Sequence, residues 1–263
     1  MKCLSSATWM AGIVMWQSMP KYFVDEVKGQ NIVASAELSH HLKKVLRLRV
    51  GDELVVCDGN EIDYICIIES LDPLLLRLER EEVCPTEPSC KITLYQAMPK
   101  SDKMEWIVQK SVEIGVYAIV PIITERTVAK KARLERYQKI AESAAGQSMR
   151  GIIPKVHPEI SLEEAIKRSK AYQIAAHVPD KSQTVKIQTI KMQTIKSALM
   201  NNDFNNNFDE IGLWIGPEGG FSQSEIEKMK MAAFNLVSLG PRILRTETAA
   251  LTALAQIIMV TEL

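Results

Sequence analysis

At 263 residues the chain is long enough for one large domain or two. A hydrophobic content of 46% with 24% charged residues fits a globular protein, not a disordered or fibrous one. The 32 basic and 32 acidic residues cancel, so any polyanionic partner must be met by local patches and not by a global field.

The five cysteines, Cys3, Cys57, Cys66, Cys84 and Cys90, include no C-x-x-C pair, and the four histidines are scattered. This pattern argues against a disulfide framework or a metal site and for a reducing, cytoplasmic setting. Near the start, Lys2 precedes an apolar run from Ala7 to Trp16. The run is far too short to span a bilayer, so no membrane partner is expected; it loosely resembles a signal peptide but has no clear small-residue cleavage site, which favours an upstream extension over secretion. Met19-Pro20-Lys21-Tyr22-Phe23-Val24 reads as a natural protein start, and residues 1–19 are expected to be an extension outside the fold.

Residues 21–84 read as mostly β. Leu54 to Cys57 is a strand that ends in the Asp58-Gly59-Asn60 turn, and Tyr64–Ile68 and Leu74–Leu78 are further strands. Ser39 to Leu48 carries apolar residues at helical spacing, with His40, His41, Lys43, Lys44, Arg47 and Arg49 crowded along it. That density, against an acidic background, favours contact with a nucleic-acid backbone over a merely solvated helix face. Cys84-Pro85-Thr86-Glu87-Pro88-Ser89 has two prolines and no periodicity, which marks a linker and a domain boundary after residue 88.

From Lys91 the pattern changes to strands alternating with helices, the signature of an α/β domain. Ile92–Gln96 is a strand. A helix opens at Ser101-Asp102-Lys103-Met104, carries Ile107, Val108, Val112 and Ile114 on one face, and stops at Gly115. A strand over 117–122 and an amphipathic helix over about 130–147 follow. That helix carries a second basic candidate patch of Lys130, Lys131, Arg133, Arg136 and Lys139. Ile174–Val178 is a further strand. The near-duplication of 186–190 in 191–195 fits no solenoid period, and 201–207 reads as a surface loop.

Two glycine-marked turns follow. Ile211–Ile215 is a strand leading into Gly216-Pro217-Glu218-Gly219-Gly220-Phe221-Ser222, and Ser222-Gln223-Ser224-Glu225 is a capping box. Asn235–Leu239 is a strand leading into Gly240-Pro241-Arg242-Ile243-Leu244-Arg245, with Thr246 expected to cap the last helix. That helix is expected to bury Ala250, Leu251, Leu254, Ile257 and Ile258. Two strand-to-helix turns of this kind build one ligand cleft at a sheet edge. No Lys-Ser or Lys-Thr follows the glycines, and there is no G-x-G-x-x-G, so neither turn is a P-loop or a dinucleotide fingerprint. Glu218 would repel a phosphate.

The segments Gly216–Ser222 and Leu239–Ala250 closely resemble the signature of the ribosomal RNA small-subunit methyltransferase E family, within the SPOUT or trefoil-knot methyltransferases. The resemblance runs from about residue 20 to 263. It includes Phe23-Val24, His40–Arg47, Gln96-Ala97-Met98-Pro99-Lys100, Lys110–Val116, Thr124-Glu125-Arg126, Ala144–Arg150 and Ile153-Pro154. It implies an α/β protein in which residues 20–88 form a PUA-like β-barrel RNA-binding domain and residues 89–263 a SPOUT domain with a deep trefoil knot, normally homodimeric. The implied reaction is methylation of N3 of a uridine in 16S (small-subunit) ribosomal RNA, free or in the assembled subunit, from S-adenosylmethionine.

On the same resemblance Gly216, Pro217, Glu218, Gly219, Gly220, Leu239, Gly240, Ile243, Leu244, Arg245, Thr246, Glu247 and Thr248 hold the cofactor. The strand end at Ala176 and His177 adds a third wall. Arg245 is also the candidate for stabilising charge on the base, and no general base is identifiable. Arg126, Gln147, Arg150 and Arg242 join the basic N-terminal residues as RNA contacts. Action on a transfer RNA or another ribosomal site, and a non-catalytic RNA-binding role, stay open as alternatives at this stage.

Overall fold

The structure, a computed structural model, describes residues 21–24, 27, 31–33, 36–44, 46–100, 102–128, 131–169, 171–177, 192–200 and 208–262. The extension at 1–19, Lys130, most of the 186–195 duplication and the 201–207 loop lie outside the described residues. The chain divides into two compact units, Met1–Glu87 with Met149–Ile153, and Pro88–Ser148 with Pro154–Leu263.

The first unit contains β1 (Lys21–Phe23), β2 (Asn31–Val33), α1 (Ala36–Lys44), β3 (Glu53–Cys57), β4 (Ile62–Leu71) and β5 (Leu74–Val83). They form a five-stranded sheet in the order β1-β3-β4-β5-β2. Only the β1–β3 pair is parallel. Period-two alternation places Leu74 and Leu76 of β5 in the core beside Leu54, Val56, Cys66 and Ile68, while Arg77 points outward. Helix α1 seats Leu42 in this core and ends at Lys44, four residues before the end its apolar spacing suggested. Arg47 adopts positive φ (57°), and Leu48 reaches the core from irregular backbone.

The first unit also takes in Met149–Ile153, which the linker reading did not anticipate. Lys21 lies on β1 with its ammonium fully buried, 2.5 Å from Asp63 Oδ1, and donates to Met149 O (3.2 Å) and to Cys84 Sγ (3.3 Å). Cys57 Sγ donates to Gly151 O (3.2 Å) and Thr86 Oγ1 to Met149 O (2.9 Å). Burial pushes the Cys57 thiol up to about 11, and it also raises the Asp63 carboxyl above its ordinary range against the pull of Lys21. The four described cysteines, Cys57, Cys66, Cys84 and Cys90, are free.

The second unit is a parallel sheet covered by helices. Its elements are β6 (Lys91–Ala97), α2 (Lys103–Ile114), β7 (Ala118–Ile123), α3 (Leu134–Gln147), β8 (Lys155–Val156), β9 (Ile160–Ser161), α4 (Leu162–Arg168), β10 (Tyr172–Ala176), α5 (Ile195–Met200), β11 (Glu210–Ile215), α6 (Gln223–Met231), β12 (Asn235–Val237) and α7 (Thr246–Thr261). The strand order is β12-β10-β11-β6-β7-β8, with β9 also paired to β7, and every pairing is parallel. The continuous apolar runs of β7 and β11 suit strands buried on both faces. One core joins Leu162 and Ala165 of α4 and Ile226 and Met229 of α6 to Trp214, Val120 and Ala175. Elsewhere α2 packs on α3 and α7, and α7 packs on β6 and β11.

The chain leaves β6 toward β7 on one side, whereas β10 and β11 lie on the other. The crossover reverses between β6 and β11, and in open parallel sheets ligands bind outside the carboxyl ends of the strands at such a point.

Candidate functional site

The first loop begins where β11 ends, beside the end of β6. Gly220 has φ of 66°, a conformation that favours glycine, and its N–H donates to Pro217 O (2.8 Å), folding the loop back on itself. A Cβ on Gly216 would stand 3.2 Å from Phe221 N and 3.3 Å from Gly220 Cα, so the fold-back leaves little room for a side chain there. The capping box forms as the sequence predicts: Ser222 Oγ accepts from Glu225 N (3.3 Å), and Glu225 Oε2 accepts from Ser222 N (2.8 Å). The buried Glu225 gives its second oxygen to Glu125 N (2.8 Å), which ties the turn after β7 to this helix start.

The second loop starts earlier than the sequence suggests, because β12 ends at Val237 and not at Leu239. Ser238 Oγ accepts from Gly240 N (3.2 Å) and so organises the departure from the strand. Thr246 does not cap α7, contrary to the expectation from its position. Arg245 occupies the cap with extended backbone, and Thr246 lies inside the first turn. Its hydroxyl is used across the site, donating from Oγ1 to Gly216 O (2.7 Å) and accepting from Gln96 Nε2 (3.0 Å). The roots of the two loops are therefore joined side by side. Of the residues expected to be buried on α7, Ala250, Leu254 and Ile257 are buried, while Leu251 and Ile258 are half-buried.

The charge of the site is concentrated at Lys103, in the first turn of α2. Its Nζ lies 3.4 Å from Glu218 Oε1 of the first loop and 3.3 Å from Glu247 Oε2 at the start of α7. Glu218 Oε1 also accepts from Lys100 N (3.0 Å). Burial opposes ionisation of Glu218, but the backbone N–H groups of Glu218 and Lys100 and the Lys103 ammonium outweigh it and hold the carboxyl below its ordinary value. Arg126 Nη1 donates to Gly219 O (2.6 Å), bracing the same loop from the turn after β7. Arg242, Ile243, Arg245 and Thr248 are exposed at the second loop, and Leu239 and Leu244 are half-buried. His177 follows β10 at the same sheet edge and donates from its backbone N to Val237 O (3.0 Å); burial holds its imidazole below the ordinary range.

The remaining RNA candidates divide by environment. His40, His41, Lys43, Lys44, Arg47 and Arg49 are all exposed, with Lys43 Nζ 3.2 Å from Asp72 Oδ2 and the His41 ring edge-on to Tyr22. Gln147 is exposed at the end of α3. Arg150 departs from its expected role: it is 2% exposed, and its guanidinium forms a bidentate pair with Glu87, through Nη2 at 2.5 Å and Nε at 3.2 Å. The buried, paired guanidinium holds Met149–Ile153 in the first unit. In the second basic patch, Arg133 pairs with Asp102 and Glu105, and Arg136 with Glu105, so both arginines are engaged with α2.

In the sequence Gln96 and Lys100 stand out only within a motif, and Lys103 carries no role at the site. A glutamine at the end of an otherwise apolar strand was the available signal for the first, and a lysine in a helix's first turn, where the dipole disfavours it, for the last. Among the described residues no group of three His, Cys, Asp or Glu side chains could hold a metal ion, and no helix is long and apolar enough to cross a membrane.

Known proteins resemble this chain over most of its length. The RNA methyltransferase domain family matches residues 86–258, and the RNA methyltransferase PUA domain family matches residues 35–79. Ribosomal RNA small subunit methyltransferase E of Bacillus subtilis is 31% identical over 263 residues, covering 93% of this chain and 98% of its own. The protein of the same name from Mycobacterium bovis is 31% identical over 250 residues, covering 90% of both. Among solved structures, that protein from Neisseria gonorrhoeae bound to S-adenosyl methionine matches with a TM-score of 0.78 at 30% identity, covering 92% of this chain and 97% of its own. A putative methyltransferase from Legionella pneumophila, in complex with the same cofactor, gives a TM-score of 0.74 at 29% identity, covering 91% and 96%. By these matches, which span both the sheet-edge loops and the basic N-terminal segment, the chain belongs to the ribosomal RNA small subunit methyltransferase E family.

Proposed function

We infer that the protein methylates small-subunit ribosomal RNA with S-adenosylmethionine, and that the acceptor is N3 of a uridine. The observation that carries this reading is the Thr246–Gly216 bond, which seats two glycine turns together at the switch point of the sheet in a member of this family. The residues fit that cofactor. The turns offer backbone amides and carbonyls, apolar Ile243 and Leu244, and the ionised Glu218; they offer no phosphate cradle. A carboxylate held ionised is compatible with a cationic sulfonium nucleoside and unfavourable for a nucleotide phosphate.

When bound, the sulfonium supplies an electrophilic methyl carbon, so the protein's task is placement and charge control. Holding the acceptor nitrogen in line with that carbon can supply roughly 7–11 kcal/mol of the barrier. As the N3–C bond forms, the methyl carbon's bond to sulfur would break to leave a neutral thioether and the N3 proton would pass to water, while the guanidinium of Arg245, exposed at the start of α7, stabilises negative charge on the ring. Extruding the base costs about a few kcal/mol, which cationic contacts along the RNA backbone offset. The exposed cluster from His40 to Arg49 supplies such contacts in the first unit, and Arg242 supplies them at the second loop.

Two further features belong to the same reading. The second unit carries the trefoil knot of this family; the parallel pairing of β12 with β10 and the return of α7 to β11 support this. The active form is a homodimer, supported by apolar side chains left on the outside of α7, where Met259 is 66% exposed, Ala255 is exposed, and Leu251 and Val260 are half-buried. The direct test is incubation of small-subunit RNA, free and in assembled subunits, with the protein and methyl-labelled S-adenosylmethionine, followed by mass spectrometry of the nucleosides. Label in 3-methyluridine is the expected result. Label in another nucleoside would overturn the acceptor, and an absence of S-adenosylmethionine binding in calorimetry would overturn the activity.

A further inference from the structure

We propose that Gln96 is a positioning residue for cofactor binding, which sets the spacing of the two site loops by acting through Thr246. The inference rests on reading those loops as the S-adenosylmethionine site. Gln96 is fully buried at the end of β6, at the strand boundary where the crossover reverses. Its Nε2 donates to Ala97 O (2.8 Å) and to Thr246 Oγ1 (3.0 Å), and the Thr246 hydroxyl donates onward to Gly216 O (2.7 Å). One carboxamide thus links β6, the first turn of α7 and the root of the first loop, although Gln96 and Thr246 are 150 residues apart in sequence.

The other end of the carboxamide shows why it is there. Gln96 Oε1 is buried and has no hydrogen-bond partner among the described residues. A buried acceptor without a partner is destabilising, and a leucine of similar size would remove it. For packing alone glutamine is therefore the poorer choice; what it contributes is the donor. With Nε2 engaging the hydroxyl oxygen of Thr246, the hydroxyl hydrogen is directed to Gly216 O and not back toward the Thr246 turn. The loop roots are fixed in this way, each at its attachment to the sheet edge. The side chain touches neither reactant in this scheme, so it governs affinity more than the chemical step.

Calorimetric titration of S-adenosylmethionine into Gln96→Leu, Gln96→Glu, Thr246→Val and the Gln96→Leu/Thr246→Val double variant tests this, with thermal unfolding in parallel. Gln96→Leu is expected to unfold at or above the wild-type temperature while its Kd rises about tenfold. Thr246→Val raises Kd by a similar factor, and the double variant raises it no further than either single change, because both break one chain of bonds. Gln96→Glu binds more weakly as pH rises and its carboxyl loses the proton that could be donated to Thr246; this variant decides the matter if the leucine variant does not fold. A Gln96→Leu Kd within about twofold of wild type, or additive single effects, overturns the inference while leaving the site reading intact. A wild-type protein that fails to bind the cofactor overturns both.

Discussion

Arg150 and Glu87 form a bidentate pair with side chains only 3% and 10% exposed, and Glu87 Oε1 at the same time accepts from Gly151 N at 2.8 Å. The carboxylate therefore anchors the Met149–Ile153 segment by its backbone as well as by its charge. Removing one partner of a buried pair leaves the other charge unpaired, at a cost of about 3–5 kcal/mol. Arg150→Ala should lower the unfolding free energy by that order in urea titration, and Glu87→Ala should lower it further because the Gly151 and Ile152 N–H groups also lose their acceptor. A loss below about 1 kcal/mol for Arg150→Ala, the range of exposed pairs, would rule out this anchoring role.

Lys103 neutralises one carboxylate on each side of the site, Glu218 and Glu247. The three side chains are 32%, 29% and 15% exposed, so solvent screens the contacts and each is worth about 1 kcal/mol or less. Lys103→Met should raise the Kd for S-adenosylmethionine about threefold to tenfold at low ionic strength, and the difference should shrink at high salt. A salt-independent difference would mean that the methionine acts by packing and not by charge.

Two histidines give the second unit a pH signature. Burial, aided by Lys155 at His157 and by Lys230 at His177, holds both imidazoles below the ordinary value of 6.5. The folded state therefore binds fewer protons than the unfolded state just below that pH. Stability is full above 6.5 and falls as pH drops through the depressed folded values. Thermal unfolding should show this decline, and His157→Gln/His177→Gln should flatten it. A decline of unchanged slope in the double variant would assign it to other groups.

The elements were legible where one local rule sufficed. Apolar runs in β6, β7 and β11, the helix stop at Gly115 and the Ser222–Glu225 box all follow from neighbours within a few residues. The misreadings share a different cause. Thr246 has cap chemistry, but its hydroxyl is committed to partners 30 and 150 residues away. Arg150 resembles an RNA contact in sequence, yet it is buried because Glu87 waits 63 residues upstream. Helix α1 stops at Lys44 although Leu46 and Leu48 continue the spacing, since Leu48 reaches the core without helical backbone. Local pattern carries element type, whereas the partners that define the site are set by topology.

The outer face of α7 offers a test of assembly. Ala255 and Met259 lie four residues apart, so they share one side of the helix, and both are exposed. Ala255→Lys/Met259→Lys places two charges on that side and leaves the buried Ala250, Leu254 and Ile257 untouched. Light scattering should give the monomer mass for this variant and twice that mass for the wild type. A variant that keeps the dimer mass would place the interface elsewhere.

Arg245 separates binding from chemistry. Its backbone carbonyl accepts from Ala249 N at 2.8 Å, so the cap of α7 survives truncation of the side chain. A cation that acts on charge developing in the transition state contributes little to the ground state, and losing one such donor typically costs about 10²–10³ in turnover. Arg245→Ala should therefore lower kcat by about 10²-fold while the Kd for S-adenosylmethionine changes less than about threefold. Arg242→Ala, by contrast, is expected to weaken RNA binding and to reduce its salt slope by about one. Equal losses of kcat and cofactor affinity in Arg245→Ala would place that guanidinium on the cofactor and not on the base.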